Sequence, residues 1–360
     1  MRILGIETSA DDTGIALIDA HGSFGGYFKF EVLANLVTTQ SELHAKYGGI
    51  YPNVAKSEHA KNLPLLLTEV LNEAEKKQKG RTNIDAIAVT MGPGLEPCLW
   101  TGITFAQEWA KKWNVPIVPV NHMEGHIIIS ALAENGGRQI QFPMLSLLIS
   151  GGHTDLILSR KWMEYEYIGR TRDDAVGEAF DKVARMLGLP YPGGPHISRL
   201  AEEARQTDRH RMSVILPRPM LHKKNFDFSF AGLKTAVRRI VEGKGSVTEE
   251  FKKLVAQEFE DAVTDVLVDK TSRAIEECGA RTLVVGGGVS ANTEIRSRLA
   301  KACADIGVTL VLPPVELATD NALMIALAGY FRALKREFSN PEQLRAQGNL
   351  KLAEGTSSFT

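Results

Sequence analysis

The residues with the plainest chemical potential are His122 and His126, in the run His122-Met-Glu-Gly-His126. The run follows an apolar strand pattern and opens a helical one. Two imidazoles four residues apart therefore share one helix face and could ligate a single metal. The same spacing also arises as a surface or core coincidence, so the pair alone leaves both readings open. A zinc peptidase of the HExxH type fits poorly. At about 100° per residue, Glu124 points nearly opposite to His122 and misses the general-base position beside the first histidine.

A second signal is Leu283-Val-Val-Gly-Gly-Gly-Val-Ser-Ala-Asn292, an apolar strand ending in three glycines with Ser290 at a helix N-cap position. Glycines remove the Cβ atoms that would keep a base or ribose off the turn, and a helix N-terminus favours an anionic or polar ligand. The spacing is neither GxGxxG nor a P-loop. A close-packed strand-to-helix turn is the alternative. Asp173-Asp-Ala-Val-Gly-Glu-Ala-Phe-Asp181 places carboxylates along a helical stretch, either for ribose hydroxyls or as a solvated face, and Tyr191-Pro-Gly-Gly-Pro195 follows as a rigid turn. Asp320, just before the amphipathic stretch 321–334, needs no role beyond capping that helix.

The elements that must position these residues carry a repeat. Ile3 to Ile18 reads as strand, small polar turn, strand, and Met144 to Leu158 repeats that layout. Such hairpins let backbone N–H groups approach an anion closely. Strands at 84–90 and 116–120 alternate with helices at 55–75 and 103–113. The second half does the same, with helices at 175–187, 248–278 and 291–304 and strands at 282–285 and 309–312. Two similar α/β lobes are expected.

With 42 Lys plus Arg against 43 Asp plus Glu and an apolar fraction of 44%, the chain has an ordinary globular composition. Its 360 residues favour two lobes. Cys98, Cys278 and Cys303 are too few and too scattered for a disulfide framework or a cysteine zinc site. No signal peptide or membrane-spanning run is seen, so a soluble cytoplasmic protein is expected, with a loose tail at 352–360. One basic block stands out: residues 205–244 hold ten Lys or Arg against three Asp or Glu. It includes Lys234, Arg238 and Arg239 on a helix and Phe226, Phe228 and Phe230 at period two. A solvated face and a surface for RNA phosphates are both compatible with it.

Eight ordered motifs make the sequence resemble the TsaD family. They are Glu7-Thr-Ser-Ala-Asp-Asp-Thr13, Met91-Gly-Pro-Gly-Leu95, His122-Met-Glu-Gly-His126, Ser150-Gly-Gly-His-Thr154, Gly177-Glu-Ala-Phe-Asp-Lys182, Tyr191-Pro-Gly-Gly-Pro195, Asp227-Phe-Ser-Phe-Ala-Gly-Leu-Lys234 and Gly286-Gly-Gly-Val-Ser-Ala-Asn292. The resemblance runs from Arg2 to about Arg336. It implies a two-lobed actin-like (ASKHA) α/β fold with duplicated lobes around an interlobe cleft. The expected bounds are 1–142 for the first lobe, 143–322 for the second, and 323–360 for a helix returning to the first lobe plus a tail.

By the same resemblance the chain would be an acyltransferase. It would move a threonylcarbamoyl group from threonylcarbamoyl-adenylate to the exocyclic amine of the tRNA adenosine beside the anticodon, releasing AMP. His122, His126 and Asp320 would hold one divalent metal, Fe(II) ahead of Zn(II). Leu148, Ile149, Ser150, Gly151, Gly152, Asp181, Gly194 and Asn292 would contact substrate; no general base is assigned. Partners would be a TsaB-like paralogue and a TsaE-like ATPase. Three departures stand against the family pattern. Ala10 replaces a common Cys, Ser198 replaces an Asp found in many members, and Glu96-Pro-Cys-Leu-Trp100 replaces the small-residue run of bacterial members. The competing readings are a sugar kinase or chaperone-like ATPase on the same fold, disfavoured by the histidine pair, and a non-catalytic scaffold paralogue, disfavoured by the retained ligand set.

Overall fold

The computed structural model describes residues 1–24, 27–78, 80, 83–132, 140–206, 214–244 and 247–352. The chain forms two compact units, Met1–Arg138 with Thr319–Thr360, and Gln139–Ala318.

In the first unit the elements are β1 (Arg2–Glu7), β2 (Asp12–Gly22), β3 (Phe28–Thr39), α1 (Ser41–Ala45), α2 (Pro52–Gln78), β4 (Ala86–Gly92), α3 (Glu96–Trp113), β5 (Ile117–Asn121) and α4 (His122–Leu132). The strand order is β3-β2-β1-β4-β5. β1 pairs antiparallel with β2 and parallel with β4, and β4 and β5 are parallel. The central strands are buried on both faces, which explains their unbroken apolar runs.

The second unit contains β6 (Met144–Ile149), β7 (Thr154–Ser159), β8 (Glu166–Arg170), α5 (Val176–Met186), α6 (Gly193–Arg205), α7 (Ala231–Gly243), α8 (Glu249–Cys278), β9 (Thr282–Gly286), α9 (Thr293–Ile306) and β10 (Thr309–Val311). Its sheet runs β10-β9-β6-β7-β8. Matching β6 to β1, β7 to β2, β8 to β3, β9 to β4 and β10 to β5 reproduces the first sheet, with antiparallel pairs on one side of the central strand and parallel pairs on the other. The hairpin repeat read from the sequence is thus the visible part of a duplicated actin-like α/β lobe. Its core gathers Leu145, Leu147, Phe180, Phe228, Phe230, Phe259 and Leu283.

After the second unit the chain returns to the first as α10 (Ala322–Leu334). Buried almost throughout, α10 lies flat on the sheet because two glycines beneath it carry no side chain. A Cβ at Gly5 would sit 2.4 Å from the Ala322 carbonyl oxygen, and one at Gly14 would sit 2.9 Å from the Ala322 nitrogen. This contact fixes the height of the helix start, and with it Asp320. A buried ion pair between Arg332 of α10 and Glu124 of α4, with Glu337 as a second carboxylate, joins the two helices.

Two capping assignments made from sequence need correction. The N-cap of α10 is Asn321, whose Oδ1 accepts from the Met324 N–H at 3.1 Å, so Asp320 is not the cap. The cap of α9 is Asn292, accepting from the Ile295 N–H at 2.9 Å. Ser290 lies instead in a 3-10 turn, Gly288–Ala291, with its hydroxyl buried and unpartnered among the described residues. Among the described residues, no helix is long and apolar enough to cross a membrane. The expected tail at 352–360 falls, apart from Leu352, outside the described residues.

Candidate metal centre and substrate loops

β5 runs straight into α4, and the Asn121 Oδ1 accepts the Met123 N–H at 2.9 Å, so the helix begins at the strand's end with His122 as its first residue. One turn later comes His126. The two rings stand edge to face, 4.8 Å between centroids. Asp320, delivered by α10, completes the group: one ligand atom from each of the three residues lies within 4.8 Å of the others. The Asp320 Oδ1 is 3.1 Å from the His126 Nε2 and 3.5 Å from the His122 Nε2.

Behind His122 stands a residue that sequence reasoning did not single out. The Glu7 Oε2 is 3.1 Å from the His122 Nδ1 and accepts the Thr90 hydroxyl at 2.6 Å, while the Glu7 Oε1 accepts the Ser9 N–H at 2.5 Å. The Ser9 hydroxyl lies 3.2 Å from the same Nδ1. A carboxylate behind an imidazole keeps a proton on Nδ1, turns Nε2 toward Asp320 and raises the basicity of the ligand. Burial opposes a charge on His122, but the Asp320 and Glu7 carboxylates outweigh it and push the imidazole up to about 9. Burial likewise works against ionised Glu7, yet His122 beside it holds the carboxyl below its ordinary value. A divalent cation would compete with a proton for that Nε2. Two imidazoles and one carboxylate, one imidazole oriented by a second carboxylate, are a donor set that fits Fe(II) or Zn(II).

Glu124, the middle of the motif, is fully buried and paired with Arg332. Its role is to join α4 to α10.

The residues proposed for substrate belong to the second unit. Leu148 and Ile149 end β6, and Ser150-Gly151-Gly152 form the turn into β7, where Ser150 N–H donates to the His153 carbonyl at 2.9 Å. Among the described residues, no heavy atom would meet a Cβ at Gly151, Gly152 or Gly194 within 4 Å. These are open positions. Gly287 is different: its φ is +87°, and a Cβ there would lie 2.5 Å from the Ile149 carbonyl oxygen. That glycine is required by the fold of the turn whether or not a ligand sits beside it.

Asp181 accepts the Gly193 N–H at 2.7 Å, which ties α5 to the start of α6. Burial raises its carboxyl above the ordinary range, against the opposing effect of the Gly193 and Gly194 N–H groups. Asn292 donates from Nδ2 to Glu260 at 2.6 Å and to Ser198 at 2.7 Å while its Oδ1 caps α9. Ser198, the departure noted above, is therefore in direct contact with a proposed substrate residue. Glu260 in turn accepts from Arg205 at 2.7 Å.

The basic block looks different once its partners are visible. Arg205 pairs with Glu260 and Asp261, Arg218 with Glu258 and Asp265, and Lys234 with Asp174 at 2.7 Å. Phe226, Phe228 and Phe230 are buried core. Arg238 and Arg239 are exposed. Residues 207–213 and 245–246 lie outside the described residues.

The sequence matches the TsaD family, described as tRNA N6-adenosine threonylcarbamoyltransferase, over residues 31–327. It is 43% identical over 345 residues to the tRNA N6-adenosine threonylcarbamoyltransferase of Chromobacterium violaceum, covering 95% of each chain. Its identity to the protein of the same name from Persephonella marina is also 43%, over 92% of this chain and 90% of that one. Among solved structures, T. kodakarensis HypF aligns at a TM-score of 0.56 and 13% identity, covering 95% of this chain and 48% of that chain. That likeness concerns the fold alone.

Proposed function

The chain belongs to the TsaD family, the tRNA N6-adenosine threonylcarbamoyltransferases, and from that premise we propose how its own residues serve the transfer. The acceptor is the exocyclic amine of a tRNA adenosine. We infer that the donor is threonylcarbamoyl-adenylate, that AMP leaves, and that the adenosine is the one beside the anticodon. One divalent ion, Fe(II) ahead of Zn(II), would be held by His122, His126 and Asp320, with Glu7 fixing the tautomer of His122. When bound, such an ion acts as a Lewis acid and template for a substrate oxygen.

The protein's own contribution is positioning. AMP is already a good leaving group, so alignment of amine and carbonyl accounts for much of the acceleration. Backbone groups of Leu148 to Gly152, together with Gly194, line the adenylate, where the missing Cβ atoms allow close approach. Asp181 and Asn292 are the polar contacts to it. A TsaB-like paralogue and a TsaE-like ATPase are the proposed partners, and the cytoplasm the proposed compartment.

The observation that carries the metal assignment is the convergence of two Nε2 atoms on one Asp320 oxygen, with a carboxylate behind the first ring. The test is metal content. The His122→Ala/His126→Ala protein should keep its fold by circular dichroism and lose stoichiometric iron or zinc by elemental analysis. Retention of a full equivalent would overturn the assignment.

A further inference from the structure

His44 and His59 are fully buried in the first unit, and the transfer site described above uses neither. They are links in one directed chain of hydrogen bonds. The His59 Nε2 donates to the Ala10 carbonyl at 3.0 Å, so its Nδ1 accepts from the Thr13 hydroxyl at 2.8 Å. Gln40 connects the two histidines: its Nε2 is 3.3 Å from the His59 Nδ1, and its Oε1 accepts from the His44 Nε2 at 3.3 Å. The His44 Nδ1 then accepts the Tyr51 backbone N–H at 3.3 Å, and the His44 carbonyl accepts the Tyr47 N–H at 2.9 Å. One end of the chain is Ala10, next to the Ser9 whose hydroxyl touches His122.

The other end reaches solvent. Tyr47 and Tyr51 stack with centroids 5.4 Å apart and planes 27° from parallel, yet they remain 50% and 49% exposed. The Lys46 ammonium sits 5.1 Å from the Tyr47 ring centre. Gly48, at φ +67°, allows the chain to double back between the two rings.

We propose that Tyr47, Tyr51 and Lys46 form a stacking platform for an unpaired tRNA base flanking the acceptor adenosine. The proposal rests on tRNA being the acceptor. An adenosine whose amine is to react must leave its stack, and its neighbours then lose a stacking partner. Aromatic faces replace that partner for any base, and an adjacent ammonium meets the phosphate. The backbone at each tyrosine is tied to buried His44 and the two rings stack on each other, which lowers the ordering needed on binding. The hydrogen-bond chain ends on the Ala10 carbonyl, and Ala10 is the covalent neighbour of Ser9, whose hydroxyl lies 3.2 Å from the His122 Nδ1. The Lys46 ammonium beside the exposed rings suits a base that carries a phosphate, which favours the RNA substrate over a protein partner as the occupant.

The test compares full-length Tyr47→Leu/Tyr51→Leu and Tyr47→Phe/Tyr51→Phe proteins in the complete transfer reaction. KM is measured separately for an unmodified tRNA transcript and for the adenylate. The leucine variant should raise KM for tRNA roughly ten-fold or more. Its adenylate KM, metal content and salt slope should stay at the parental values, and the phenylalanine variant should behave as the parent. Lys46→Ala should flatten the salt dependence by about one unit of slope. Three results would overturn the proposal. One is an unchanged tRNA KM in the leucine variant. A second is an equal rise in both KM values with loss of metal, which would make the pair a structural support. The third is loss of a protein subunit with tRNA KM unchanged, which would make it a protein contact. Parental activity toward tRNA, measured alongside, bears on the transferase assignment separately.

Discussion

The carboxylate of Glu7 decides which nitrogen of His122 faces Asp320, and its removal is the most informative single change at the metal centre. Glu7→Gln is nearly isosteric and keeps one oxygen, enough for either Ser9 or Thr90, which bond to different oxygens of Glu7, but it no longer holds the Nδ1 proton by charge. Loss of such a supporting contact typically weakens metal binding 10–100-fold. Competition with a chromophoric chelator should show a loss in that range with little change in melting temperature; unaltered affinity would mean that Glu7 does not orient the ligand. Glycines offer a second discrimination. Gly194→Val enters open space, so it should weaken adenylate binding in calorimetry while the protein stays stable. Gly287→Val meets the Ile149 carbonyl and forces a β-branched residue into positive φ, so it should lower the melting temperature whether or not ligand is present. The reverse pattern would contradict the assignment of these loops. At this scale, helix periodicity was enough to set His122 and His126 on one face. Glu7 lies 115 positions from His122 and Asp320 lies 194 from His126, separations that no local pattern spans.

Elements with strong local signals were legible nearly to the residue. α8 runs from its Thr248 cap to a left-handed Gly279, two signals plainly present in the sequence. β3 and β8 were not foreseen. Both are edge strands with only scattered buried positions; β8 shows neither an apolar run nor alternation, and the alternation of Phe28-Lys-Phe-Glu-Val32 in β3 breaks off at Leu33-Ala34. α6 was hidden because Tyr191-Pro-Gly-Gly-Pro195 reads as a turn, although Pro192 is in fact the N-cap and Gly193 the first helical residue. The element contact that matters most for the site is α4 against α10, pinned by Glu124 and Arg332. Arg332→Met would leave Glu124 buried without its charged partner, a cost of about 3–5 kcal/mol. Both melting temperature and metal affinity should fall. Adding Glu124→Leu to that variant should recover much of the stability by replacing the pair with apolar contacts. A single variant as stable as the parent would show that the pair does not hold the two helices.

At the level of the whole molecule, the duplication of the lobes was readable from the two hairpins, though the full strand order was not, and the ordered motifs tied the chain to one family. Charge was less legible. The block at 205–244 looks basic as a string, but Arg205, Arg218 and Lys234 are matched by acids on α8 and at Asp174, which come from distant parts of the sequence. Any role of that block in holding RNA therefore falls to its exposed cations, such as Arg238 and Arg239. If the metal triad serves the transfer, modification of tRNA by this chain must depend on it. The direct measurement is nucleoside mass spectrometry of an unmodified tRNA transcript incubated with threonylcarbamoyl-adenylate, partner subunits and the purified protein. The parent loaded with Fe(II) or Zn(II) should yield threonylcarbamoyl-adenosine, whereas chelator-treated parent and the His122→Ala/His126→Ala protein should yield none above background. Modification at the parental rate by the metal-free double variant would contradict the account.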